Sequence, residues 1–426
     1  MMTVRQKFPA STPIDIPATV KQEFAKIQSR LKPGMRIAVA VGSRGITNLQ
    51  AAVMALLDAL KAAGAQPFIV PAMGSHGGAT PEGQAEILAE YGISEATLNV
   101  PVKASLEVER LGASDDGIDV FFSTEALRAE GVVVVNRVKP HTDFNGTIGS
   151  GILKMLVIGL GKRAGAANFH AAASRLGYER VIRSSARVAW RSAPILCGVA
   201  LVENQLHETA RIAVIEPGEL ERREEELFAE AKRLMPRLPF AEIDLLIVDR
   251  IGKNISGAGM DPNIIGRGKR DYPSVVDEQN DAPIIRQIFA RDLTPETHGN
   301  AIGIGCADYT TARLVRGMDK KATYINALTS LAPHAAKIPI YFDTDREVIA
   351  QALSASALAD VRQAKVVRIT DTLSLEHLEV SEAFVELIAS QENLVRLSRP
   401  QEMEFDDTGN LLPLGSAAAD SVERTP

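Results

Sequence analysis

Short apolar, β-branched runs alternate with amphipathic segments along most of the chain. "MRIAVAV", "PFIV", "VVVV", "CGVALVE", "IAVIE", "DLLIVD", "AIGIG" and "KVVRIT" are each too short for a core helix and are rich in Val and Ile, so each is predicted as a strand. Runs apolar on both faces belong to strands covered twice, and helical patterns between them supply the cover, so a mainly parallel sheet is expected. The first helix is predicted from a capping-box pattern, Thr47 with Gln50, through apolar positions to Ala63, with Gly64 at the C′ position. The second opens at Thr80-Pro81-Glu82, with a hydroxyl cap, a proline at the first helical position and early negative charge, and ends near Gly92.

The segment "PGELERREEELFAEAKRLMPRLPFAEIDLLIVD" reads as a charged helix, a proline-bounded break and a new strand. A domain boundary is placed there, giving an N-terminal α/β domain over residues 1–240 and a C-terminal α/β domain over 241–400 that closes a cleft. Residues 401–426 are expected to be a tail, packed in part and frayed at its end. The length of 426 residues suits two cores better than one.

Composition narrows the function. Apolar residues at 46% and charged residues at 23% are globular averages, and no apolar run approaches the roughly 18 residues of a membrane span. The N-terminus shows no apolar leader segment, and two cysteines, Cys197 and Cys306, give neither a disulfide framework nor a thiolate metal cluster. A cytoplasmic location is expected. A net charge of −6 with scattered basic residues argues against a nucleic-acid groove, so the expected partner is a small molecule, with no nucleic acid and no membrane.

Chemistry is concentrated in glycine-rich stretches at strand ends, where open α/β sheets bind ligands. His76 stands in "GSHGGATPEG" after "PFIV", and His141 in "KPHTDFNGTIGSG" after "VVVV". Imidazole titrates near neutrality, which makes both candidate proton-transfer groups; the alternative is a pair of turn-capping loop histidines. Lys154 is the single charge in "GSGILKMLVIGLG": either its stem snorkels along apolar surface or its amine has a covalent task. His170 follows 16 residues later, with Gly159, Gly161 and Gly165 able to turn the chain between them. Arg44, in "AVGSRG", follows the first strand and could bind a carboxylate bidentately or be a surface arginine. In the second half Lys253, Asn254 and Asp261 follow "DLLIVD" and would face an interdomain cleft. No phosphate loop and no dinucleotide glycine fingerprint is present, which weakens a nicotinamide-dependent dehydrogenase, and no H-E-x-x-H supports a zinc hydrolase.

Taken together, "AVGSRG", "GSHGGATPEG", "VNRVKPHTDFNGTIGSGILKM" and "GLGKRAGAANFH" resemble the nickel-pincer lactate racemase family, over about residues 30 to 175 and more loosely through "GKNISGAGMDPN", "GCADYTT" and "YINALTS". The resemblance implies a two-domain α/β isomerase with its site between the domains. It implies a nickel-pincer nucleotide, a pyridinium-derived mononucleotide with two sulfur-bearing arms, joined as a thioamide to Lys154, with nickel completed by His170. His76 and His141 match the acid/base pair, Arg44 the arginine on the substrate carboxylate, and Lys253 a substrate-steadying lysine. The implied partners are a small 2-hydroxy acid and, transiently, cofactor-synthesis proteins. Val41 stands where the founding members carry an acidic residue, and Gly149-Ser-Gly-Ile-Leu precedes Lys154 where they carry Gly-Gly-Arg. A longer sugar acid, acted on by a 2-epimerase, is therefore an alternative to lactate, and a non-catalytic carboxylate-binding or sensor protein is the alternative from another class.

Overall fold

The computed structural model describes residues 1–10, 12–42, 45–267 and 282–414. They divide into two compact units, with the boundary between Met235 and Pro236.

The N-terminal unit is built on a five-stranded sheet in the order Gln66–Pro71, Arg36–Val41, Gly131–Arg137, Ile195–Glu203, Thr209–Ile215. The first four strands are parallel and the last is antiparallel. Alternation assigns each strand to two cores: Val132 and Val134 point into one, Val133 and Val135 into the other. That is why these strands read as unbroken apolar runs. Helix Leu49–Ala62 covers one face with Leu49, Val53, Leu56, Leu57 and Leu60 buried, and helix Tyr178–Ser192 covers the other. A hairpin, Val108–Ala113 with Asp119–Ser123, completes the unit.

The two predicted helices form with different capping. Helix Pro81–Glu90 is capped as expected, Thr80 accepting from the Gly83 N–H at 3.1 Å. The first helix is not closed by a Thr47 capping box. Its N-cap is Asn48 in the left-handed region, the Thr47 N–H donates to Glu203, and Gln50 donates instead to the Gly92 carbonyl. Tertiary acceptors outcompete the local pair.

The C-terminal unit carries an eight-stranded mixed sheet in the order Ile340–Phe342, Tyr309–Thr311, Ile284–Leu293, Glu242–Ile251, Val366–Ile369, His377–Val380, Met2–Gln6, Leu394–Arg396. Its first five strands are parallel. The first ten residues, expected in the N-terminal domain, belong here: Met2–Gln6 lies between two antiparallel partners, a pairing set by strands about 375 residues downstream. "AIGIG" is not a strand. Gly303 takes φ +94° and a single helical turn, Ile304–Cys306, follows. Of the tail, Leu411 is buried and its N–H donates to Asp345, while residues 415–426 lie outside the described residues.

A candidate active site around Lys154

The segment that carries Lys154 is held from three sides. Ser150 and Lys139 exchange backbone hydrogen bonds, each at 2.9 Å, which docks the loop before Lys154 on the loop that leads to His141. Gly151 comes so close to Glu224 that a β-carbon there would sit 2.2 Å from the carboxylate, so only glycine fits. Glu224, fully buried on helix Leu220–Leu234, accepts from the Leu153 N–H at 2.9 Å and so satisfies one of the orphan donors at the start of the Lys154 turn. Burial pushes its carboxyl up to about 7, against the pull of the Leu153 and Ile152 N–H groups. After Lys154 the chain makes one wide turn, Met155–Gly159, closed by the Leu160 N–H on the Met155 carbonyl at 2.8 Å, an i to i+5 bond of the kind enriched at functional sites.

The result is a contact between two residues 13 apart: the Lys154 Nζ lies 2.8 Å from the His141 Nε2. His141 is buried and its ring orientation is fixed, since its Nδ1 accepts the Asp143 N–H at 3.0 Å and its face stacks on Phe144 with centroids 4.7 Å apart. Lys154 itself is half-buried, with Ile152, Leu153, Leu156 and Val157 buried around its backbone.

His170 comes from helix Lys162–Leu176. That helix ends at Gly177, whose φ of 87° and ψ of 148° lie in a region only glycine occupies readily, and the reversal turns Tyr178 back toward the site. Tyr178 sits between the two histidines, its ring centroid 6.0 Å from that of His141 and 6.3 Å from that of His170, with Phe144 and Phe169 at 5.3 and 5.6 Å. His141, which contacts Lys154, and His170 thus share one aromatic cluster. Neither Tyr178 nor Glu224 was indicated by the motifs.

His76 is half-buried on the loop after strand Gln66–Pro71. Two links bind this loop to the Lys154 to His170 segment: the Gly74 N–H donates to the Gly159 carbonyl at 3.2 Å, and Lys162 donates to the Pro71 carbonyl at 2.6 Å and to Gln84 at 3.3 Å. Gln84 in turn donates to the carbonyls of Gly74 and His76. Lys162, also absent from the motif reading, is fully buried with φ +53°, and desolvation lowers its amine to about 8.

Arg44 lies outside the described residues. Lys253 belongs to the C-terminal unit, where its amine donates to Asn326 and its N–H to Thr297. Of its two companions, Asn254 accepts from Thr294, and the Asp261 carboxylate is used as a helix cap on Asn263. Burial raises the Cys197 thiol far above its ordinary range, which makes it an unreactive core residue. No helix among the described residues is long and apolar enough to cross a membrane.

Residues 18–179 match the family model described as the lactate racemase N-terminal domain, a span that contains His76, His141, Lys154, His170 and Tyr178. A solved structure of a protein from Thermotoga maritima is similar with a TM-score of 0.51 at 12% identity, over 86% of this chain and 99% of that one, and shares the fold. The lactate racemase apoprotein from Thermoanaerobacterium thermosaccharolyticum is 13% identical over 87% of this chain and 93% of its own, with a TM-score of 0.49. No curated protein matches the chain.

Proposed function

We propose, from the match of residues 18–179 to the family model described as the lactate racemase N-terminal domain, a racemase or epimerase of a 2-hydroxy acid, dependent on a lysine-tethered nickel-pincer nucleotide. The observation that supports this reading is the contact of the Lys154 amine with His141, whose ring, like that of His170, lies against Tyr178. The residues suit such a group. A tether needs a nucleophilic amine on an apolar bed, which Lys154 offers, and acylation would leave it uncharged, without the desolvation cost of a buried ammonium. Among the described residues no cluster of three His, Cys, Asp or Glu side chains could hold a metal ion alone, so the chain's share would be the one imidazole of His170 beside donors carried by the nucleotide.

When bound, the nucleotide supplies a reversible hydride acceptor for a carbon whose C–H is too weakly acidic for direct proton removal. The chain supplies proton transfer and grip. His141 takes the substrate hydroxyl proton on one side and His76 on the other, each returning it to the alkoxide when its enantiomer forms; inversion needs a base for either face. Arg44, by its place in the matched motif, holds the carboxylate through both half-reactions, and Lys253 steadies the substrate. The aromatic wall of Phe144, Phe169 and Tyr178 keeps water from the reacting carbon. Val41 leaves the substrate side chain open between lactate and a longer sugar acid.

The test is to produce the protein together with cofactor-synthesis proteins, which would contact it transiently during loading, and to follow optical rotation over a panel of 2-hydroxy acids. At least one should be racemised or epimerised, with an intact-mass increase on Lys154 that the Lys154→Ala variant lacks. Turnover by Lys154→Ala, or a loaded parent that leaves every acid unchanged, would overturn the proposal.

A further inference from the structure

The eight-stranded sheet of the C-terminal unit ends differently at its two edges. Leu394–Arg396 is short and bracketed by exposed Glu392, Arg396 and Arg399, the kind of charges that keep an edge from pairing. Ile340–Phe342 is the opposite edge, bonded on one side to Tyr309–Thr311, and the segment that carries it exposes Ile338, Ile340 and Tyr341. An apolar edge is a template for another strand. More apolar surface lies just before it in the chain. Helix Lys320–Thr329 buries Thr323 and Ala327 and exposes Tyr324, Ile325 and Leu328, while Asn326 turns away from that stripe onto Lys253 and Asn300. Leu331, at the C′ position of this helix, takes φ +54°, where glycine is the common residue, yet carries a large apolar side chain half in water. The turn Pro333–Ala336 packs on the helix through Ala327 and Ala336 and runs directly into the edge segment, which joins the two groups. The seven side chains expose on the order of 100 Å² each, about 700 Å² together, above the roughly 300–600 Å² of the largest patch on a typical monomer and near the roughly 800 Å² each partner gives to a standard interface.

We propose that this face pairs with the same face of a second copy of the chain, edge strand against edge strand, antiparallel about a two-fold axis at Ile340. The occupant is a second copy because the segment complements itself. With Ile340 opposite its counterpart, Lys337 stands opposite Asp343 and Ile338 opposite Phe342, charge on opposite charge and apolar on apolar. A two-fold at Tyr341 would set Pro339 opposite Asp343, and one at Pro339 would set Lys337 opposite Tyr341, so either shift loses the charge match. Lys337 and Thr344, near the ends of the segment, already have extended backbone, which suits them to a longer ladder. An isologous contact uses one patch twice, so each favourable pair occurs twice. The axis stands perpendicular to the joined sheet and keeps the two helix stripes on the same side of it. Two eight-stranded sheets thereby become one continuous sheet, and its only remaining edges are the charged ones among the described residues. The proposal is independent of the isomerase reading.

The experiment measures the mass of the full chain in solution by sedimentation, at protein concentrations up to about 50 µM. The parent should reach twice the mass of one chain. Lys337→Glu, or Asp343→Lys, sets like charges opposite one another at two places, and each should weaken the dimer by about tenfold or more. The two variants mixed in equal amounts should regain it, since a mixed pair restores opposite charges at both places; a role of either residue within its own chain would not respond to mixing. Ile340→Cys, oxidised, should give a disulfide-linked dimer, because residues directly opposite across antiparallel strands have Cα atoms about 4.5 to 5.5 Å apart, within disulfide reach. Far-ultraviolet circular dichroism of each variant, matched to the parent, separates loss of pairing from loss of fold. A parent that stays a single chain at about 50 µM would overturn the proposal and leave the face to a partner of another kind. Single variants that pair as well as the parent, a mixture that pairs no better than its components, or Ile340→Cys that forms no linked dimer would each overturn it as well.

Discussion

The ring of His141 is fixed through three neighbours: the Asp143 N–H on one nitrogen, Lys154 on the other and Phe144 on its face. His76 is positioned differently, on a loop tied down through Gly74, Gln84 and Lys162. If the two act on opposite faces of one carbon, neither can substitute for the other. His76→Ala should therefore lower turnover of both enantiomers by about 10² to 10⁴, checked by initial rates from each enantiomer; full activity would remove His76 from the pair. Lys154 and the three histidines were legible because glycine-rich strand ends and an isolated charge are local signals. Tyr178 was not, since one tyrosine after a helix carries no mark of the two imidazoles it separates.

At the scale of elements, Glu224 is the residue that links sequence pattern to site. In "LERREEELFAEA" it looks like any surface acid, yet Leu220, Glu224, Leu227, Phe228 and Ala231 share one buried helical stripe, so its phase marks it out. A carboxyl raised to about 7 in the fold, against about 4.5 when unfolded, favours the folded state most when protonated. The stability it contributes is present below about pH 4.5 and is lost as pH rises through 7, up to about 3 kcal/mol for a group so deeply buried. Glu224→Gln keeps an acceptor for the Leu153 N–H and removes the titration. Its melting temperature relative to the parent should rise between pH 5 and pH 8; parallel curves would refute the assignment. Other elements went astray where tertiary partners decide. The Thr47 N–H donates to Glu203 where a local cap was expected, and "AIGIG", apolar enough for a strand, became a turn because Gly303 admits a positive φ.

For the whole molecule, the C-terminal unit is tied together by a buried ion-pair network. Asp249 bonds both Arg291 and Arg368 at 2.8 Å, and fully buried Asp345 bonds Arg291 at 2.6 Å and the Leu411 N–H at 2.9 Å. Removing Asp345 takes from buried Arg291 one of its two carboxylate partners and leaves the Leu411 N–H without its acceptor, so Asp345→Ala should cost about 3 kcal/mol, measurable by denaturant unfolding; a loss below about 1 kcal/mol would mean the network is solvated. The sequence by itself determined the alternating α/β organisation, the break near residue 240 and the residue types that carry chemistry, because periodicity, turn residues and isolated polar groups are written locally. Only the tertiary structure decided that Met2–Gln6 joins a sheet whose other strands lie beyond residue 240, that Ser150 docks on Lys139, and that an amine and an imidazole 13 residues apart meet at 2.8 Å. Those are pairings between distant segments, selected by shape, backbone hydrogen bonds and burial, and no local window of residues encodes them.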